Sequence, residues 1–197
     1  MNYSYSKLAS FKRCPYQYKL TYIDRIKTGI ENIESFLGSR FHDLMEEIFL
    51  AGKEKDFFLE ELVDRFQVLW KEKWHAHVRI TDLQKSPEDY LKYGELCVKN
   101  FYDAYLAPGT GFLAKTLGVE TKIEFPLDRE RKNKMIGYID RVSQASDGAV
   151  EIQDYKTSKD LPEEEEVAQG RQLALYQMGL LAAWNRDGIQ PLPIRLV

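Results

Sequence analysis

The sequence predicts an α/β domain in which a mixed central β-sheet is flanked by helices. A mainly helical part covers about residues 1–110, and a sheet with a crossover helix covers 115–197. Three observations carry this expectation. Apolar residues recur at helical spacing through the first half. After Pro108-Gly109 the period changes to the alternation of a half-buried strand. An apolar stretch of helical length then separates two strand patterns, as a crossover connection requires.

Taken in order, Ser4 or Ser6 can cap a short helix through Arg13, and a further helical segment covers Tyr16–Ile23. Phe36–Ala51 sets Leu37, Phe41, Leu44, Met45 and Ile48 on one stripe, with Gly52 as its stop. Residues 56–77 and 87–106 continue the helical pattern, the second started at Ser86-Pro87. Val119, Ile123, Phe125 and Leu127 then enclose Lys122 and Glu124 in a strand pattern. Lys134–Val142 and Ala149–Lys156 predict two more strands, joined by a turn at Asp147-Gly148. Glu163–Glu166 puts acids in the first turn of a helix to Trp184, where they suit the helix dipole. Pro193–Val197 opens a last strand, and no internal repeat or low-complexity tract interrupts the single domain of 1–197.

Composition narrows the function classes. In 197 residues, 28 Lys+Arg stand against 31 Asp+Glu, a net charge of −3, which excludes a binder that holds nucleic acid by bulk charge. The 44% hydrophobic and 30% charged fractions belong to a folded globular chain. Cys14 and Cys97 alone build neither a disulfide framework nor a Cys-rich zinc site. The opening residues lack the apolar core of a signal peptide, and no apolar run approaches the roughly 20 residues of a membrane span. The expected address is the cytoplasm, with no membrane partner.

The segment richest in chemistry is Met135–Arg141 followed by Glu151–Thr157. If these strands pair antiparallel about Asp147, Asp140 faces Asp154 with Cβ atoms roughly 5 Å apart. Such carboxylates repel, and a divalent cation with a taste for hard oxygen, Mg²⁺ or Mn²⁺, removes the conflict. Lys156, two residues past Asp154, shares its face. Two acids and a lysine on one sheet face suit metal-assisted phosphodiester hydrolysis. The plain alternative is a surface hairpin in which Lys156 neutralises Asp154, worth about 0–1 kcal/mol. Ile136, Ile139, Val150 and Ile152 mark the strands as buried, however, and a buried acid pair needs a partner.

Further candidates lie elsewhere. His42 sits at the border of its apolar stripe, about 100° round from Phe41, with Gly38 one turn earlier. It reads as a ligand or as a satisfied core histidine. His75 and His77, with no partnering acid nearby, read as structural or solvated. Gln172 and Tyr176 share a helix face at i, i+4, near the end of the lysine strand. Over the first 28 residues, Lys7, Lys12, Arg13, Lys19, Arg25 and Lys27 face one acid, Asp24, with Tyr16, Tyr18 and Tyr22 interleaved. That pattern suits a single nucleic-acid strand held by phosphate contact and stacking, or a solvated basic face. Arg129, Arg131, Lys132 and Lys134 form a second basic cluster at a turn.

Together the pieces resemble the PD-(D/E)XK nuclease superfamily, in particular its RecB-like and Cas4-like exonuclease branch. Ser4-Tyr-Ser6-Lys-Leu8 leading to Cys14-Pro15-Tyr-Gln-Tyr18 looks like the opening of that branch. Gly38-Ser-Arg-Phe-His42 is similar to its G-x-x-x-H motif, and Gly137-Tyr-Ile-Asp140-Arg141 to the strand bearing the first acid. Asp154-Tyr-Lys156-Thr157 resembles the D-x-K core, and Gln172-Leu-Ala-Leu-Tyr176 the Q-x-x-x-Y helix. The resemblance runs from about residue 3 to 180 and keeps the motifs in the family's order.

The resemblance implies a restriction-endonuclease-like core and metal-dependent hydrolysis of DNA phosphodiesters. The enzyme would be an exonuclease or a nuclease acting on single strands or ends, in recombination, repair or mobile-element processing. It implies that His42, Asp140, Asp154 and the Tyr155 carbonyl hold Mg²⁺ or Mn²⁺. Lys156 would position or activate the attacking water or offset charge on phosphorus. Gln172 would orient the lysine or the water, Tyr176 would face the DNA or brace the site, and Glu120 matches an additional acid. DNA is the implied partner, with a helicase or other DNA-processing protein beside it. The alternative is a nuclease-fold module that binds DNA or braces a helicase without turnover; the intact set of His42, Asp140, Asp154, Lys156 and Gln172 argues against it. An unrelated Mg²⁺ phosphohydrolase of nucleotides would call for a Gly-rich phosphate loop, which the sequence lacks. Many relatives carry a 4Fe–4S cluster whose first cysteine matches Cys14, but no cysteine follows Cys97, so four thiolates are not available in this chain. A cluster-free relative keeping Cys14-Pro15 for packing, or a fragment ending within a strand at Ile194–Val197, accounts for the departure.

Overall fold

The computed structural model describes residues 1–51, 57–108, 114–157, 170–188 and 192–196. Along the chain run β1 (Asn2–Tyr3), α1 (Tyr5–Arg13), α2 (Pro15–Tyr18), β2 (Glu31–Asn32), α3 (Ile33–Leu50), α4 (Leu59–Lys73) and β3 (Val78–Arg79). There follow α5 (Pro87–Phe101), β4 (Lys115–Pro126), β5 (Lys134–Gln144), β6 (Val150–Gln153), α6 (Arg171–Arg186) and β7 (Ile194–Leu196). Single π-helical turns, Lys19–Ile23 and Tyr102–Leu106, extend α2 and α5. The chain divides into two units, one of Met1–Thr28, Thr116–Asp154 and Asp160–Val197, the other of Gly29–Lys115 and Tyr155–Lys159.

The first unit is built on a mixed five-stranded sheet in the order β1-β5-β6-β7, with β4 also paired to β5. β1 runs parallel to β5, β6 antiparallel to β5, and β7 parallel to β6. The β5–β6 register is the one expected: Arg141 pairs with Gln153, Val142 with Ile152, Ser143 with Glu151 and Gln144 with Val150. Its turn works through Gly148, whose φ of +86° few other residues tolerate, while the Asp147 side chain accepts the Ala149 amide at 3.1 Å. Ile123, Phe125, Met135, Ile139, Val142, Val150 and Ile152 form the sheet side of the core. Leu173, Tyr176 and Leu180 supply its helical side from α6. β4 ends at Pro126, which has no amide to continue a ladder; Leu127 is exposed instead of buried, and its amide turns back to the Asn133 carbonyl at 2.8 Å.

The second unit is a helical layer around α3, whose Ile33, Phe36, Leu37, Phe41, Leu44, Met45 and Ile48 are all buried. α4 packs Leu62, Phe66, Leu69 and Trp70 against this stripe, and α5 adds Tyr90 and Val98. Gly94 lets α5 approach α4, because a Cβ there would stand 2.4 Å from Phe66 Cζ. α3 starts three residues earlier than its apolar pattern suggests, since the Asn32 side chain accepts the Ser35 amide and caps it. Ser86 and Asp89 close a capping box at the expected start of α5. α4 stops at Lys73 short of residue 77, where Trp74 turns extended and packs edge-on against Phe36. The expected stop at Gly52 and the helix start at Glu163–Glu166 lie outside the described residues. No helix among the described residues is long and apolar enough to cross a membrane.

Candidate active site

In the sheet unit, the site grows from the open end of the β5–β6 hairpin. Gln153 is the last residue of β6, and the register carried one step further would set Asp140 across from Asp154. Asp140 is only 8% exposed. Its carboxylate has a second acid nearby, Glu120, with oxygens within 4.8 Å. Glu120 lies within β4 at φ +46°, a left-handed backbone that is costly for a residue with a side chain, on the order of 1 kcal/mol.

α6 brings the remaining groups of this unit. Gln172 and Tyr176 stand one turn apart, and the Gln172 side-chain amide donates to Asp154 Oδ1 and to the Tyr176 hydroxyl, both at 2.8 Å. Gly137 makes room for the Tyr176 ring, since a Cβ at 137 would lie 2.9 Å from Tyr176 Cε1. Burial pushes the Tyr176 phenol up to about 12, and the charges of Asp154, Asp140 and Glu120 add to that against the Gln172 hydrogen bond. The phenol therefore keeps its proton throughout the physiological range. An unfolded tyrosine ionises near pH 10, so this residue's contribution to stability is intact below that pH and is lost as pH rises towards 12. Absorbance at 295 nm, wild type minus Tyr176→Phe, is expected to rise close to pH 12; a rise centred on pH 10 contradicts the burial argument.

The helical unit supplies two more groups. His42 Nε2, on α3, lies 3.1 Å from the Tyr155 carbonyl oxygen. The Tyr155 ring is held by Phe49, stacked at 6.3 Å, and by Phe101, edge-on at 5.6 Å. Gly38, one turn before His42, faces Thr157, whose Oγ1 a methyl group would meet at 3.5 Å. Lys156 follows outside the strand and is exposed. Ligands at right angles on an ion with bonds of about 2.1 Å stand about 3 Å apart. The separation of His42 Nε2 from the Tyr155 oxygen thus suits two neighbouring ligands of one ion as well as a hydrogen bond. An imidazole nitrogen and a carbonyl oxygen are both donors that a divalent metal ion accepts.

The basic N-terminal residues fall on the helices of the sheet unit. Lys12, Arg13, Tyr16 and Lys19 are exposed. Lys7 donates to the Asn2 carbonyl at 2.7 Å and lies over the Tyr22 ring, while Lys19 pairs with Asp24. Cys14 has a local duty: its Sγ accepts the Gln17 amide and caps α2. His75 does have an acid partner, contrary to expectation, because the parallel β2–β3 pair brings Glu31 Oε2 to 2.9 Å from its Nε2. Sequence reasoning saw no role for Arg141 and Gln153, which join their side chains inside the sheet at 3.0 Å. Their only signal was a charged and a polar residue among apolar strand neighbours.

A search of curated proteins finds no match to the chain. The family model of the PD-(D/E)XK nuclease superfamily matches residues 2–197. With the mixed sheet and flanking helices of a restriction-endonuclease-like fold, and with a fit of this extent, the chain belongs to the PD-(D/E)XK nuclease superfamily.

Proposed function

We propose that the protein is a Mg²⁺- or Mn²⁺-dependent deoxyribonuclease of the RecB-like and Cas4-like branch, with the whole chain serving as one nuclease domain. It acts on single strands or ends, as an exonuclease or end-processing enzyme in recombination, repair or mobile-element processing in the cytoplasm, beside a helicase or other DNA-processing partner. The observation that carries the reading is the β5–β6 register, whose last rung, Arg141 with Gln153, is flanked by Asp140 and Asp154, while Gln172 holds Asp154 Oδ1.

His42, Asp140, Asp154 and the Tyr155 carbonyl would hold the ion, with Glu120 as an additional acid. Bound there, the ion supplies Lewis acidity and lowers the pKa of a water molecule. The chain's own groups do the rest. Gln172 uses both amide hydrogens, one on Asp154 Oδ1 and one on the Tyr176 hydroxyl, and so fixes the Asp154 carboxylate. Lys156 carries the positive charge that meets the phosphate oxygens and orients the attacking water. Tyr176 keeps its proton and offers it as a hydrogen bond toward the DNA. Lys7, Lys12, Arg13, Tyr16 and Lys19 hold the strand by phosphate contact and stacking.

End-labelled single- and double-stranded DNA, incubated with Mn²⁺, with Mg²⁺ or with a chelator, tests the reading. Metal-dependent products that shorten from one end are expected. Binding without any cutting in either metal would favour the module without turnover.

A further inference from the structure

Arg141 is the most deeply buried charged residue among those described, 1% exposed within the sheet. Its Nε donates to Thr116 Oγ1 of β4 at 3.1 Å, and its guanidinium donates to Gln153 Oε1 of β6 at 3.0 Å. The Gln153 amide in turn donates to Ser143 Oγ at 3.3 Å and to Glu151 Oε2 at 3.4 Å. Three strands are thus joined by side chains on one sheet face. Stability does not require this arrangement, because well-packed apolar residues of similar volume usually serve as well as a buried ionic group or better. What the polar set adds is position. The Gly148 turn fixes the closed end of the β5–β6 hairpin, but β6 has only four residues and ends at Gln153. Asp154 stands one step beyond, where a short strand frays first.

We propose that Arg141 is a positioning residue: with Gln153 and Thr116 it clamps the open end of the hairpin and so holds Asp154 across from Asp140. The proposal rests on the nuclease reading for its consequence, which is metal affinity, and on the hairpin alone for its geometry. Alternation puts Arg141 on the opposite face from Asp140, so it acts through the backbone and touches neither the ion nor the substrate.

The test compares wild type with Arg141→Met/Gln153→Leu, an apolar replacement of the pair, and with Arg141→Lys. Calorimetric titration with Mn²⁺ gives affinity, amide hydrogen exchange gives opening at Asp154, and thermal unfolding gives stability. The apolar pair is expected to melt no lower than wild type, yet to bind Mn²⁺ at least tenfold more weakly and to exchange faster at Asp154. Arg141→Lys keeps the charge but loses the fork that reaches two strands, and an affinity between the two is expected. Wild-type affinity and wild-type exchange in the apolar pair overturn the clamp. Should that pair not fold, unchanged affinity and exchange in Arg141→Lys overturn it instead. Should wild type itself bind no Mn²⁺, the nuclease reading fails, and exchange at Asp154 alone decides the clamp.

Discussion

Asp140→Asn is expected to lower metal-dependent cleavage on the order of a thousandfold while leaving the metal-free protein no less stable. The side chain keeps its volume, so the buried position stays filled. What changes is charge: the Glu120 carboxylate lies within 4.8 Å of that of Asp140, and removing one of these negative charges relieves repulsion. A structural acid would behave in the opposite way, since losing its charge would lower the melting temperature. Paired measurements of cleavage rate and of metal-free thermal unfolding separate the two. A variant that cuts like wild type, or that melts much lower without metal, contradicts the assignment.

The second large effect belongs to the packing of α6. A Cβ on Gly179 would meet Ile123 Cδ1 at 2.4 Å and Ile123 Cβ at 2.7 Å. Ile123 is 2% exposed, and its Cβ is fixed to the β4 backbone, so neither side can yield without shifting an element. Gly179→Ala gains helix propensity of about 1 kcal/mol. Overpacking costs about 1–3 kcal/mol and outweighs it. Because α6 also carries Gln172 and Tyr176, the same displacement moves the donor to Asp154, and activity should fall with stability. Denaturant unfolding reads the first effect and the cleavage rate the second; an unchanged midpoint contradicts the tight contact.

Some of this was legible in the sequence for physical reasons. The α3 stripe follows from spacing alone, because Leu37, Phe41, Leu44, Met45 and Ile48 on one face have no other use than a core. The hairpin register follows from Asp147-Gly148, since a glycine that takes a positive φ pins the turn and the turn pins every rung outward to Arg141. Pairings that join distant segments were not legible. Asn2–Tyr3 is too short to show any period, yet it pairs with Lys134–Met135. Glu31 and His75 meet only because two-residue strands 47 positions apart happen to pair, Glu31 opposite Val78.

The candidate site divides along the same line. The Arg141–Gln153 rung beside the two acids follows from the register, and Gln172 with Tyr176 from helical spacing. The bond from Gln172 to Asp154 could not be derived, because it depends on how α6 lies on the sheet. A charged residue in a strand is ordinarily at the surface, and nothing local announces that Arg141 is 1% exposed. The left-handed backbone at Glu120 was equally silent, for no glycine marks the position.

The most direct test measures DNA binding and cleavage side by side for wild type, Asp154→Ala and Lys156→Ala, with Mn²⁺ present. In the proposed nuclease, Asp154 would be the carboxylate donor and Lys156 the charge that meets the phosphate. Wild type should cut, and both variants should still bind DNA but leave it intact. Cleavage by either variant at the wild-type rate would contradict a hydrolytic centre built on these two residues.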